Sequence, residues 1–187
     1  MRHLVSLGLL FGFVGTAISF SGLAKTVTDS HLRVVIIRHG EKSEDNNNLS
    51  CQGQNRALQL PAVLYRKFNK PDHVYVPSPG LGKSMSHVRM FETIIPFVVK
   101  YDLSVNSEFQ VKAYSAVAEH VLTKTGTVLM VWQHDVIPAL AAQLGVSNPP
   151  KWKGKDFDSI WIITYVGGKA SLSIEREGII PLVECSF

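Results

Sequence analysis

Hydrophobic residues fall along this chain in two rhythms: short unbroken runs, and longer stripes with helical spacing. Leu32 to Ile37 and Thr127 to Trp132 are apolar on both faces, so both read as central strands buried from two sides. His73 to Val76 reads as another strand, closed by Pro77, Ser78 and Pro79. Between them the period lengthens. Ser50 can cap a helix that places Ala57, Leu60, Leu64 and Phe68 on one face, with Pro61 expected to bend or shorten it. A second stripe is Phe91, Ile94, Ile95 and Val98, and a third is Val111, Tyr114, Val117 and Val121. A fourth, Ile137, Leu140, Ala141 and Leu144, stops at Gly145. Ser159 to Val166 and Ala170 to Arg176 then read as strands around a Gly167-Gly168 turn. Strands alternating with helices predict a three-layer αβα sandwich with a mainly parallel central sheet.

The first residues stand apart from that alternation. A positive start, Met1-Arg2-His3, precedes an uncharged apolar run from Leu4 to Phe20. Ser21-Gly22-Leu23-Ala24 supplies the small residues a signal peptidase reads. The pattern predicts a signal peptide over 1–24 and one domain over 25–187; an uncleaved membrane anchor is the alternative. Both place the domain outside the cytoplasm, periplasmic or secreted, and after cleavage no stable membrane insertion is expected. The 187-residue length fits a single domain. The formal charge of +4 is mild and scattered, with no interleaving of aromatics and basic residues, so nucleic acid is not an expected partner. Cys51 and Cys185 are the only cysteines. Export permits a disulfide between them; two buried thiols, or a loose Cys185, are equally open readings of the sequence. No metal-ligand spacing occurs, and no metal or organic cofactor is expected. Oligomeric state is not legible.

The chemistry gathers at strand ends. The first strand runs into Arg38-His39-Gly40 and the third into Gln133-His134-Asp135. Parallel strands end on one edge, so His39 and His134 are expected to meet there. His39 is a candidate nucleophile as a neutral imidazole, Arg38 a two-pronged anion ligand, and Gly40 a point of close backbone approach. Arg89, in the helix after the second strand, is within reach of the same edge. Two histidines and two arginines form a cationic cup suited to a phosphoryl group.

Four ordered motifs carry a resemblance. They are Arg38-His39-Gly40-Glu41; Leu49-Ser50-Cys51-Gln52-Gly53-Gln54-Asn55-Arg56-Ala57; Arg89-Met90-Phe91-Glu92-Thr93; and Val131-Trp132-Gln133-His134. Together they resemble the histidine phosphatase superfamily, whose fold is phosphoglycerate mutase-like. The resemblance implies that His39 attacks phosphorus to form a phosphohistidine that water then hydrolyses. It implies that Arg38, Arg89 and His134 bind the phosphoryl oxygens, with His134 expected to work protonated. For the proton donor it offers Asp135, through the His134-Asp135 pair, with Glu108 as the alternative. The expected activity is phosphomonoester hydrolysis of a small phosphorylated substrate. In size and leader the chain is similar to a periplasmic member that acts on an envelope phosphosugar. A phosphohistidine-protein phosphatase and a non-catalytic phosphate- or protein-binding member are the competing readings.

Two departures stand out. The family's serine before the second arginine has no clear counterpart, leaving Ser84 or Ser86. Glu41 and Lys42 either serve the pocket or are solvated loop charges. His31, His73, His87 and His120 are expected to be structural or surface residues, and Trp132, Trp152 and Trp161 core.

Overall fold

The computed structural model describes residues 31–80 and 86–187. The expected leader and Ser84 lie outside the described residues. Six strands form one sheet in the order β3-β2-β4-β1-β5-β6. β1 (Arg33–Arg38), β4 (Thr127–Trp132), β2 (His73–Tyr75) and β3 (Val105–Asn106) run parallel, and β5 (Ser159–Val166) and β6 (Lys169–Arg176) extend the sheet antiparallel from β1.

Alternation along the strands splits the core in two. Val35, Ile37, Leu129 and Val131 face α1 (Cys51–Phe68) and α2 (Val88–Tyr101). Val34, Ile36, Val128 and Met130 face α3 (Tyr114–Val121) and α4 (Ile137–Gln143). Residues of opposite parity point to opposite faces, and covering both explains why these strands are apolar throughout. The chain leaves β1 toward β2 but leaves β4 toward β5, on the other side. The boundary between β1 and β4 is therefore the switch point where α/β sheets open a crevice.

Several boundaries differ from the sequence expectation. Pro61 does not shorten α1, which runs unbroken for 18 residues. Burial of Leu60, Pro61, Val63 and Leu64 offsets the backbone hydrogen bond that proline cannot make. α2 is rotated from its expected stripe: Met90, Thr93, Ile94, Phe97 and Val98 are buried, whereas Ile95 is exposed. α3 begins after Val111, whose carbonyl instead accepts from the Trp132 indole at 2.8 Å. The two-residue β3 is too short to leave a periodic signal. At the β5–β6 hairpin both Gly167 and Gly168 have positive φ, as the tightest right-twisting turns require.

The C-terminal tail is tied down. Cys51, in the first turn of α1, is disulfide-bonded to Cys185. Asn55 donates to the carbonyls of Leu182 and Glu184 at 2.9 and 2.6 Å. Among the described residues, no helix is long and apolar enough to cross a membrane.

Candidate active site

β1 and β4 are paired in register, Arg38 opposite Trp132, so both chains leave the sheet at the same level. The His39 amide donates to the Trp132 carbonyl at 3.2 Å, which holds the two strand ends together for one residue more. His39 is 3% exposed. Its Nδ1 lies 2.7 Å from the Gly40 carbonyl, and a carbonyl only accepts, so Nδ1 carries the proton and Nε2 the lone pair. Burial pushes the His39 imidazole down to about 4, and the charges of Arg38, Arg89 and His134 act the same way. The ring is thus neutral at physiological pH. In an NMR titration its ring protons should shift with a midpoint near pH 4, well below an ordinary histidine; a midpoint near 6.5 would contradict this environment.

Arg38 is clamped from below. Its Nη1 donates to the carbonyls of Gly154 and Asp156 at 2.7 and 3.1 Å, and its guanidinium carbon sits 3.7 Å over the Phe157 ring. The same ring meets His39 edge-on. Burial lowers Arg38 to about 10, against the pull of Glu41, Asp156 and Asp135, and leaves it fully charged at neutral pH. Arg89 lies in the first turn of α2, where its Nη1 donates to the Asn47 carbonyl at 3.1 Å. Nε of Arg38 and Nε of Arg89 are both buried with no hydrogen-bond partner among the described residues. An orphaned buried donor costs about 1–3 kcal/mol, and an anion between the two arginines would satisfy both.

Thr93 joins the two halves of the site. Its hydroxyl accepts from the Gly40 amide at 2.9 Å and donates to the Arg89 carbonyl at 2.7 Å. The turn after His39 is thereby fixed to the turn that presents Arg89. Gly40 and Gly53 pack backbone to backbone: a Cβ on Gly40 would stand 2.9 Å from the Gly53 carbonyl oxygen, and one on Gly53 would collide with Glu41. Ser50 caps α1 there, its hydroxyl accepting from the Gly53 amide at 3.2 Å.

His134 follows β4 at the same edge. A Cβ built on Gly154 would lie 3.6 Å from its Nε2. Burial, then Arg38 and Lys42, lower the His134 pKa, with Asp135 opposing them. A protonated His134 is therefore disfavoured in the free protein, first by burial and then by the cationic cup. A bound dianion would pull it back up. Asp135 is exposed at the rim and its charge acts on both Arg38 and His134. Glu108 is exposed beyond β3, where its charge acts on Tyr75. The acid that acts on Arg89 is Glu92, not Glu108.

Glu41 is neither a solvated charge nor a direct ligand of Arg38. It takes Arg56 with both carboxylate oxygens, the shortest contact 2.7 Å. Arg56 also donates to Glu177 at 2.7 Å. Sequence reading missed this triad, as it missed the roles of Thr93, Phe157 and the Gly154 and Asp156 carbonyls. Only Thr93, four residues after Arg89, left a spacing signal. Ser86 is exposed against His87, and His120 meets Tyr75 edge-on and Phe109 at a tilt, both outside the cup. Trp132, Trp152 and Trp161 are buried as expected. Among the described residues, no group of His, Cys, Asp or Glu gathers to hold a metal ion.

No family model and no curated protein sequence matches the chain. Solved structures do. The protein histidine phosphatase SixA complexed with tungstate aligns at 15% identity and a TM-score of 0.56, covering 78% of this chain and 97% of that one. A mycobacterial glucosyl-3-phosphoglycerate phosphatase, with inorganic phosphate, aligns at 15% identity and a TM-score of 0.55, covering 76% and 95%. Phosphoglycerate mutase from Bacillus anthracis aligns at 12% identity and 0.51, covering 78% and 93%. The chain has the fold these proteins share, a phosphoglycerate mutase-like fold.

Proposed function

We propose that this chain is an exported phosphomonoester hydrolase that works through a phosphohistidine on His39. The observation that carries the reading is the neutral, buried His39 imidazole with its Nε2 lone pair free, set among Arg38, Arg89 and His134, two of whose guanidiniums retain unpaired donors. In the first half-reaction Nε2 attacks phosphorus and the bond from phosphorus to the leaving oxygen breaks. That oxygen takes a proton from Asp135, whose charge is felt at His134 as well as at Arg38. In the second, Asp135 accepts a proton from water as the water oxygen attacks phosphorus. The phosphorus–nitrogen bond then breaks and His39 returns neutral. The arginines stay charged throughout and stabilise the three non-bridging oxygens.

Two of the similar structures are named as a protein histidine phosphatase and a glucosyl-3-phosphoglycerate phosphatase, which supports a small phosphorylated substrate here. The leader pattern and the Cys51–Cys185 disulfide support an oxidising, extracytoplasmic setting, and with it an envelope phosphosugar as the substrate class. The test is to mix the mature protein with p-nitrophenyl phosphate and quench it in base. An acid-labile, base-stable phosphoryl group should map to His39. In the Asp135→Asn variant nitrophenolate, a good leaving group, should still be released, while hydrolysis of an alkyl phosphate should fall about 10²-fold or more. Absence of any phosphoenzyme, with substrate turned over, would defeat the covalent route.

A further inference from the structure

The loop between α4 and β5 does more than hold Arg38. Gly154 reaches the cup, with its carbonyl on Arg38 and the space beside its Cα open toward His134 Nε2. On either side stand Lys153 and Lys155, each one Cα step of about 3.8 Å from Gly154. Lys151 continues the same alternation, and all three lysines are exposed. Asp156, Asp158 and Glu41 line the same cavity as these lysines, and each is occupied. Asp156 accepts from the amides of Asp158 and Ser159 and from the Ser159 hydroxyl, at 2.6 to 3.0 Å. Asp158 accepts from the Gly178 amide at 2.8 Å and lies 3.7 Å from Arg176. Glu41, at the loop's far side, is taken by Arg56. Among the described residues none of the three lysines has an ion-pair partner.

These lysines border an open cavity of about 570 Å³, floored by Trp152 and Phe157 and edged by Arg176. Phe157 is also the shelf beneath Arg38, so this cavity and the phosphoryl cup share a wall. Three unpaired lysines around a concavity the size of a sugar or two, with Arg176 beside Asp156 and Asp158 at its edge, are more than capture of a single phosphoryl group requires. Arg38, Arg89 and His134 already supply that capture.

We propose that Lys151, Lys153 and Lys155, with Arg176, form a subsite for a second phosphate on the leaving group, so that the preferred substrates are bisphosphorylated molecules of sugar size. This rests on the phosphatase reading above and adds the substrate class. The backbone of the strip is fixed by Arg38 and by the Trp152 indole, which donates to the Asp156 carbonyl at 2.8 Å, while its lysine side chains stay free to follow the ligand.

The experiment compares glucose 1,6-bisphosphate with glucose 6-phosphate by phosphate release. In the unaltered protein kcat/KM for the bisphosphate should exceed that for the monophosphate by about tenfold or more, beyond the twofold due to having two hydrolysable groups. The ratio should shrink as ionic strength rises, because the lysines are exposed. In the Lys151→Gln, Lys153→Gln, Lys155→Gln triple variant it should fall to about two. Each ratio is internal to one protein, so partial loss of folded material does not disturb it. A ratio near two in the unaltered protein, or one that survives the triple substitution, overturns the subsite. If neither sugar is hydrolysed the phosphatase reading fails, and the same ratio read from Kd by calorimetry still decides the subsite.

Discussion

His39→Ala is expected to lower kcat/KM for p-nitrophenyl phosphate by about four orders of magnitude or more. The size follows from the geometry. Among the described residues, only His39 combines burial, a protonated Nδ1 fixed on the Gly40 carbonyl and a free Nε2 among the anion-binding groups. His134 cannot replace it without leaving its own place above Gly154. Arg38 and Arg89 would still bind the phosphoryl group, so the variant should retain affinity for inorganic phosphate while losing turnover and the phosphoenzyme. That split between binding and chemistry separates a missing nucleophile from a collapsed fold. Residual activity above about a hundredth of the original would move the nucleophile to another residue.

Arg56→Leu should have the largest effect on stability, a loss of about 3–5 kcal/mol in chemical denaturation at neutral pH. Arg56 is 5% exposed and lies between Glu41 and Glu177, whose side chain is fully buried. Removing the guanidinium leaves the Glu41 carboxylate without its ion pair and the buried Glu177 carboxyl without its hydrogen-bond donor. Glu177 also gives the pair a definite pH signature. Burial raises its carboxyl to about 8, outweighing Arg56. Between its ordinary value of 4.5 and about 8 the unfolded chain releases this proton while the folded one keeps it. Stability from this group is therefore complete below pH 4.5 and lost as pH climbs through 8. The single Glu177→Gln variant should show a flatter stability profile across that window. An Arg56→Leu protein as stable as the original would mean that the triad is energetically idle.

Much of this architecture is legible before any coordinates. The two strands buried on both faces announce themselves by unbroken apolar runs, and their shared direction is enough to bring Arg38, His39 and His134 to one edge. The glycine pair closing β5 onto β6 is equally plain. What stays hidden is whatever depends on long-range approach between irregular segments. Phe157 sits in a loop with no period, yet it meets both Arg38 and His39. Glu177 is a single acid near the end of the chain, and nothing nearby in sequence reveals its partner at position 56. Cys51 and Cys185 are 134 residues apart, and only the fold decides whether such a pair meets. Pro61 shows the converse. A strong local rule against helix yields to the packing of the residues around it.

The bond between Cys51 and Cys185 closes almost the whole described domain, from the first turn of α1 to the tail, into one covalent ring. A peptide bond cut anywhere inside that ring, the lysine-bearing loop included, cannot by itself separate the pieces. A protease-nicked molecule therefore keeps both histidines on one tethered particle until a reductant reaches the sulfurs.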